Sequence, residues 1–140
     1  MTHTVSDSDR RFRSRFESGE FPAAEFDHRK HLQLAYIYLT ESDVESAARQ
    51  MKAALLDFLA RNGVDPVKYH ETITRAWVLA VRHFMDKTPV SDSADEFIEL
   101  NPVMLDTKIM LTHYSAELLF SDKAREQFKE PDRDPIPVRQ

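Results

Sequence analysis

Between Asp43 and Gly63 the apolar residues Val44, Ala47, Ala48, Met51, Leu55, Phe58 and Leu59 recur at three- and four-residue intervals. That spacing draws one stripe along an α-helix. Ser42-Asp43-Val44-Glu45 reads as a capping box that opens the helix, and Gly63 suits the residue just past its end. Strict polar–apolar alternation is absent from the chain, and Gly19 and Gly63 are its only glycines, too few for a fold built from hairpins. The periodicity therefore predicts an all-α protein.

The same logic places the other elements. A first helix is expected from about Ser8 to Glu17, stopped by Gly19 and followed by a turn through Phe21 and Pro22. A second opens near Asp27 and carries His28, His31, Leu32, Ala35, Tyr36 and Leu39 on one side. Asp65-Pro66 predicts a restart, with an apolar face running through Ile73, Trp77, Ala80, Val81 and Phe84. Ser93-Ala94-Asp95-Glu96 opens a short helix to about Leu100. Asn101-Pro102 opens another, carrying Met104, Leu105, Ile109, Met110 and His113 and continuing to Leu119. Ser121 caps a last short helix to about Phe128. The tail from Pro131 to Pro137 holds three prolines, which lack donors and fix φ, so it is expected to lie extended over the surface. The expected architecture is a compact antiparallel bundle of about four longer helices plus short ones. It forms a single domain over residues 1–140, with 1–7 and 130–140 extended or loosely ordered.

Composition limits the function classes. The formal net charge of −5 argues against an extended nucleic-acid footprint, which needs a basic field. The run Arg10-Arg11-Phe12-Arg13-Ser14-Arg15 is a local exception, either the solvated face of the first helix or an anion-contacting arm. Cysteine is absent, which removes disulfides, thiolate nucleophiles and thiolate ligands. Residues 1–15 lack the apolar core of a secretory signal, and no apolar run approaches the ~18 residues of a membrane span, so no membrane partner and a cytoplasmic location are expected.

Three histidine-bearing segments carry the chemistry. In Asp27-His28-Arg29-Lys30-His31 the two imidazoles lie about 60° apart around a helix and about 4.5 Å along it, so both can face one point. The alternative is that His28 caps the helix in solvent while His31 packs on the core. Tyr69-His70-Glu71-Thr72 sets His70 one turn before Ile73 on an apolar face, where each ring nitrogen needs a partner. His113, one turn after Ile109 and Met110, is expected on a buried stripe. His83 reads as surface and His3 as part of a loose terminus. If the stripes turn inward, His28, His31, His70 and His113 approach a common axis. Inward imidazoles suit a divalent ion such as Zn, Fe, Mn or Cu. Without a metal they suit proton transfer. No zincin motif, repeated Glu-x-x-His pair, phosphate loop, nucleophile elbow or dinucleotide fingerprint is present.

Taken together, Phe26 to Leu32, Tyr69 to Thr72, His113-Tyr114-Ser115 and the ending from Leu119 to Pro137 resemble an uncharacterised bacterial family of short helical proteins. The resemblance implies that the histidine segments and the proline-rich tail belong to one module. It also implies a terminal lid over the pocket, with Asp132 or Asp134 near its mouth.

Three roles follow. The first is a small metal-dependent enzyme or metal-centred ligand-binding protein. In it His31, His70 and His113 are ligands, with His28 as a further or alternative ligand. Glu71 is a general base or alternative ligand, and Tyr69 and Arg75 orient a small polar substrate. The second is a metal-free pocket whose histidines bind or deprotonate a small molecule. The third is a helical interaction module, such as a homodimer.

Overall fold

The computed structural model describes residues 3–137, and among these every regular element is helical. Seven α-helices run in chain order: α1 Asp7–Ser18, α2 His28–Glu41, α3 Val44–Arg61, α4 Glu71–Lys87, α5 Ala94–Leu100, α6 Ala116–Leu119 and α7 Asp122–Glu126. Four single-turn or short 3-10 segments join them, at Ala23–Glu25, Pro66–Lys68, Pro102–Leu105 and Thr107–Thr112. α2, α3 and α4 pack on one another as the centre; α1 lies against α2 and α3, α5 against α2, and α7 against α4. No helix among the described residues is long and apolar enough to cross a membrane.

The core is aromatic at one end. Phe16 stacks on Phe58 with ring centroids 4.4 Å apart, and Phe12, Phe21 and Phe26 close around them. Tyr36 and Tyr114 are fully buried, and each keeps a partner for its hydroxyl: Tyr36 donates to the Thr4 carbonyl (2.7 Å) and Tyr114 to the Lys129 carbonyl (2.6 Å). His3 is bound rather than loose. Its Nε2–H donates to the Met85 carbonyl and its Nδ1 accepts from the Ser91 hydroxyl, both at 2.7 Å. The expected looseness of residues 1, 2 and 138–140 falls outside the described residues.

Three expectations are corrected. α3 is capped by Asp43, which accepts from Ser46 N at 2.8 Å, while Ser42 closes α2 by donating to the Tyr38 carbonyl at 3.0 Å. Asp65-Pro66 opens only one 3-10 turn, because Tyr69 is extended, and α4 starts at Glu71. From Asn101 to Leu119 there is no continuous helix. Asp106 and Ser115 take extended backbone and accept from Lys108 N (2.9 Å) and Leu118 N (3.2 Å), restarting short segments each time. Their side chains offer the backbone a local alternative to helix.

Candidate functional site

Asp27 is extended and accepts from Lys30 N at 3.0 Å, so α2 begins with His28 as its first residue. His31 follows three residues later, on the same face. Both line a cavity of about 480 Å³. Its walls are mostly apolar, from Phe26, Ile73, Trp77, Met110, Leu111 and Leu119, and its other polar contributors are Asp27, Thr107 and Lys108. That volume lies in the usual range for small-molecule sites, roughly 300–1,000 Å³.

The two imidazoles differ in how they are held. His28 Nε2–H donates to the Met104 carbonyl at 2.8 Å, and the ring stands edge-on to Trp77 with centroids 4.6 Å apart. With that nitrogen engaged, the ring's other nitrogen, Nδ1, has no hydrogen bond to any described residue. The His31 imidazole makes no hydrogen bond among the described residues, and its Nδ1 is sealed from solvent without a partner. Burial first, and the neighbouring His28 second, push its pKa down to about 4, so His31 is neutral near pH 7. An orphaned buried N–H is rarer and costlier than an orphaned acceptor. The proton of neutral His31 therefore belongs on Nε2, its other nitrogen. In that tautomer His31 offers the cavity a donor, and His28 in its neutral form would offer an acceptor.

The remaining expected site residues lie elsewhere. His70 is buried, but as the cap of α4: its Nδ1 accepts from Ile73 N (3.0 Å) and its Nε2–H donates to the Leu119 carbonyl (2.8 Å). Burial lowers its pKa. Both its nitrogens are engaged within the protein, and through Leu119 it holds one wall of the cavity. Tyr69 and Glu71 lie outside the cavity lining, gathered around Lys52, whose Nζ is 3.1 Å from Glu71 Oε1 and sits over the Tyr69 ring. Burial, helped by the Glu71 charge, raises the Tyr69 phenol well above its ordinary range. Arg75 pairs with Glu45. Among the described residues no three or more His, Cys, Asp or Glu side chains are grouped to hold a metal ion.

His113 is half-buried and donates from Nδ1 to the Asp134 carbonyl at 2.7 Å. With His83 it lines a second cavity of about 270 Å³, which Ile136 and Pro137 of the tail also line. His83, expected on the surface, is half-buried there. The tail is pinned by Ser115, whose N and Oγ both donate to the Asp132 carboxylate at 2.7 and 2.6 Å and hold its pKa low. It therefore lines the second cavity, not the one beside His28 and His31. Deleting the chain from Pro131 onward is expected to leave affinity at the first cavity within about twofold, measured by titration of the deletion and the full chain. A loss of tenfold or more would restore the tail as a lid over that site.

Sequence reasoning missed Trp77 and Lys108 as cavity residues. Trp77 was visible only as one member of an apolar face, and Lys108 sits in a segment expected to be helical. Compared with known proteins, the chain matches no family model, no curated protein and no solved structure.

Proposed function

We propose that the protein binds a small, uncharged, mostly apolar molecule bearing a hydroxyl or enol group, and that His28 and His31 hold that group and can exchange its proton. The observation that carries this reading is a pair of imidazoles lining a mostly apolar cavity, His28 with one nitrogen unpartnered and His31 with no ring hydrogen bond, which as neutral rings supply one acceptor and one donor. A hydroxyl satisfies both at once. A carboxylate fits less well, because a charged head set beside a neutral imidazole pays desolvation without a counter-charge. His28 is the proton acceptor in this scheme and His31 the donor that orients the ligand oxygen. The bacterial cytoplasm is the setting that the cysteine-free sequence and the likeness to short bacterial helical proteins support.

Trp77 is the only tryptophan of the chain and it lines the cavity, so its emission is a built-in probe. Titration with 4-ethylcyclohexanol, ethylcyclohexane and 4-ethylcyclohexanecarboxylate, none of which absorbs near tryptophan, tests the reading. The alcohol is expected to bind about tenfold more tightly than either of the others, the worth of one good hydrogen bond. Unchanged Trp77 emission, or equal affinity for all three, would overturn it.

The same two imidazoles support a second reading, a divalent ion (Zn, Fe, Mn or Cu) bridging His28 Nδ1 and His31 Nε2, with the His31 proton moved to Nδ1. Catalytic zinc sites ordinarily draw on three protein ligands. Elemental analysis of untagged protein and of His31→Leu distinguishes the two: stoichiometric metal in the wild type alone would favour the ion.

A further inference from the structure

A third cavity, of about 240 Å³, lies between α1 and the start of α2, away from the His28–His31 site. Three cationic side chains line it: Arg11 and Arg15 from α1, and Lys30 from α2. Most of the other arginines in the helices are matched to carboxylates. Arg10 pairs with Asp7, Arg13 with Glu17 and Glu41, Arg29 with Asp95, Arg61 with Asp57, and Arg82 with Asp86. Arg11, Arg15 and Lys30 have no ion pair among the described residues.

Their positions make that absence costly. Arg11 and Arg15 are four residues apart on one helix, where like charges repel. In place of carboxylates, Arg15 rests over the Phe21 ring at 5.6 Å and Lys30 over the Phe12 ring at 5.4 Å. The nearest buried carboxylate is already spent. Asp9 accepts from Gln33 Nε2 (2.9 Å) and, through its other oxygen, from Ser6 N and Ala94 N (both 3.0 Å). Holding the Gln33 amide in this way turns its carbonyl oxygen toward Lys30 Nζ, at 3.5 Å. A chain of net charge −5 therefore gathers three uncompensated cations around one small concavity.

We propose that this cavity is a binding site for a tetrahedral dianion, inorganic phosphate or a small phosphomonoester. Two guanidinium forks and an ammonium supply multiple donors from two helices, which match the three terminal oxygens and double charge of a phosphomonoester better than a single carboxylate. The Phe12 and Phe21 rings give an organic substituent an apolar floor. The concavity is too small for a folded partner to enter, which sets a small anion above an acidic protein surface.

The test uses the full chain, with inorganic phosphate and phenyl phosphate as probes at ionic strength matched with chloride. Binding is read by phosphorus NMR and by the shift in melting temperature. Wild type is expected to bind both, with phenyl phosphate tighter. The double variant Arg11→Gln/Arg15→Gln is expected to bind at least about tenfold more weakly, having lost two charge-assisted donors. Arg10→Gln, which lies in the same basic run but outside the cavity, is expected to stay within about twofold of wild type. Both variants change exposed side chains, and their folding is checked by the melting curve without anion. Phosphate that stabilises no more than chloride would overturn the proposal. So would a double variant that binds like wild type, or an Arg10→Gln loss as large as the double variant's, the mark of a diffuse basic patch.

Discussion

Replacing His31 by leucine is expected to stabilise the protein by about 1 kcal/mol at pH 7 while removing ligand binding at the first cavity. The side chain now carries a sealed Nδ1 with no partner, and an unsatisfied buried polar atom costs about 1–3 kcal/mol. Leucine fills similar space with no polar atom to satisfy, and part of the gain is offset by repacking around Phe26. A gain in stability at the expense of binding marks a residue kept for function.

The same substitution should remove an acid sensitivity. The folded pKa of His31, about 4, lies below its unfolded value of 6.5. Between these two values the unfolded chain holds a proton that the native chain does not, so stability rises with pH there. On acidification the wild type is stable above about pH 6.5, loses stability progressively down to about pH 4, and loses no more from this group below that. At 1.36 kcal/mol per unit the loss is about 3 kcal/mol. His70, whose pKa is also lowered by burial, contributes with the same sign. Urea unfolding of wild type and His31→Leu at steps from pH 7 to pH 4 measures both effects. A leucine variant that is less stable at pH 7 and follows the wild-type acid profile would show that His31 is an ordinary packed histidine.

His70→Ala should act in the opposite way, costing about 3 kcal/mol at pH 7. The substitution strips a helix cap, worth about 1 kcal/mol, and leaves the Leu119 carbonyl without its buried donor, worth about 1–3 kcal/mol. His70→Asn restores the cap but not the reach to Leu119, and is expected to recover about 1 kcal/mol of that loss. Denaturant midpoints of the three proteins decide the matter. If His70→Ala is as stable as wild type, the two hydrogen bonds do not hold α4 and the cavity wall as described.

The contrast between these histidines explains what the sequence could and could not reveal. The body and C-terminal end of α3 were legible, because its stripe and Gly63 are local signals, while its cap lies one residue later than the expected box, at Asp43. The pairing of His28 and His31 was legible for the same reason, since three-residue spacing on a helix fixes a shared face. His70 was not, because the turn at Pro66 fails to propagate through the extended Tyr69, and the imidazole then caps α4 where an aspartate or serine would be expected. His113 left its predicted stripe when Asp106 and Ser115 broke the helix that would have carried it. Long-range ties were invisible in principle. Nothing in the segment Asp27 to His31 announces that His28 will meet a carbonyl 76 residues away, and that bond fixes which of its nitrogens is left unpartnered. The basic run of α1 was visible, but its meaning depends on Lys30 and on the absence of carboxylates around Arg11 and Arg15, which only the packing of α1 against α2 supplies.

The most direct test of the central claim, that the cavity of His28 and His31 is a ligand site for an uncharged hydroxyl, is a crystal structure of the protein with 4-ethylcyclohexanol. The expected complex has the ring packed against Trp77 and Leu119, and the hydroxyl oxygen within hydrogen-bond distance of His28 Nδ1 and His31 Nε2. An empty cavity at a ligand concentration that changes Trp77 emission would contradict the claim. So would an alcohol bound with its hydroxyl turned away from both imidazoles.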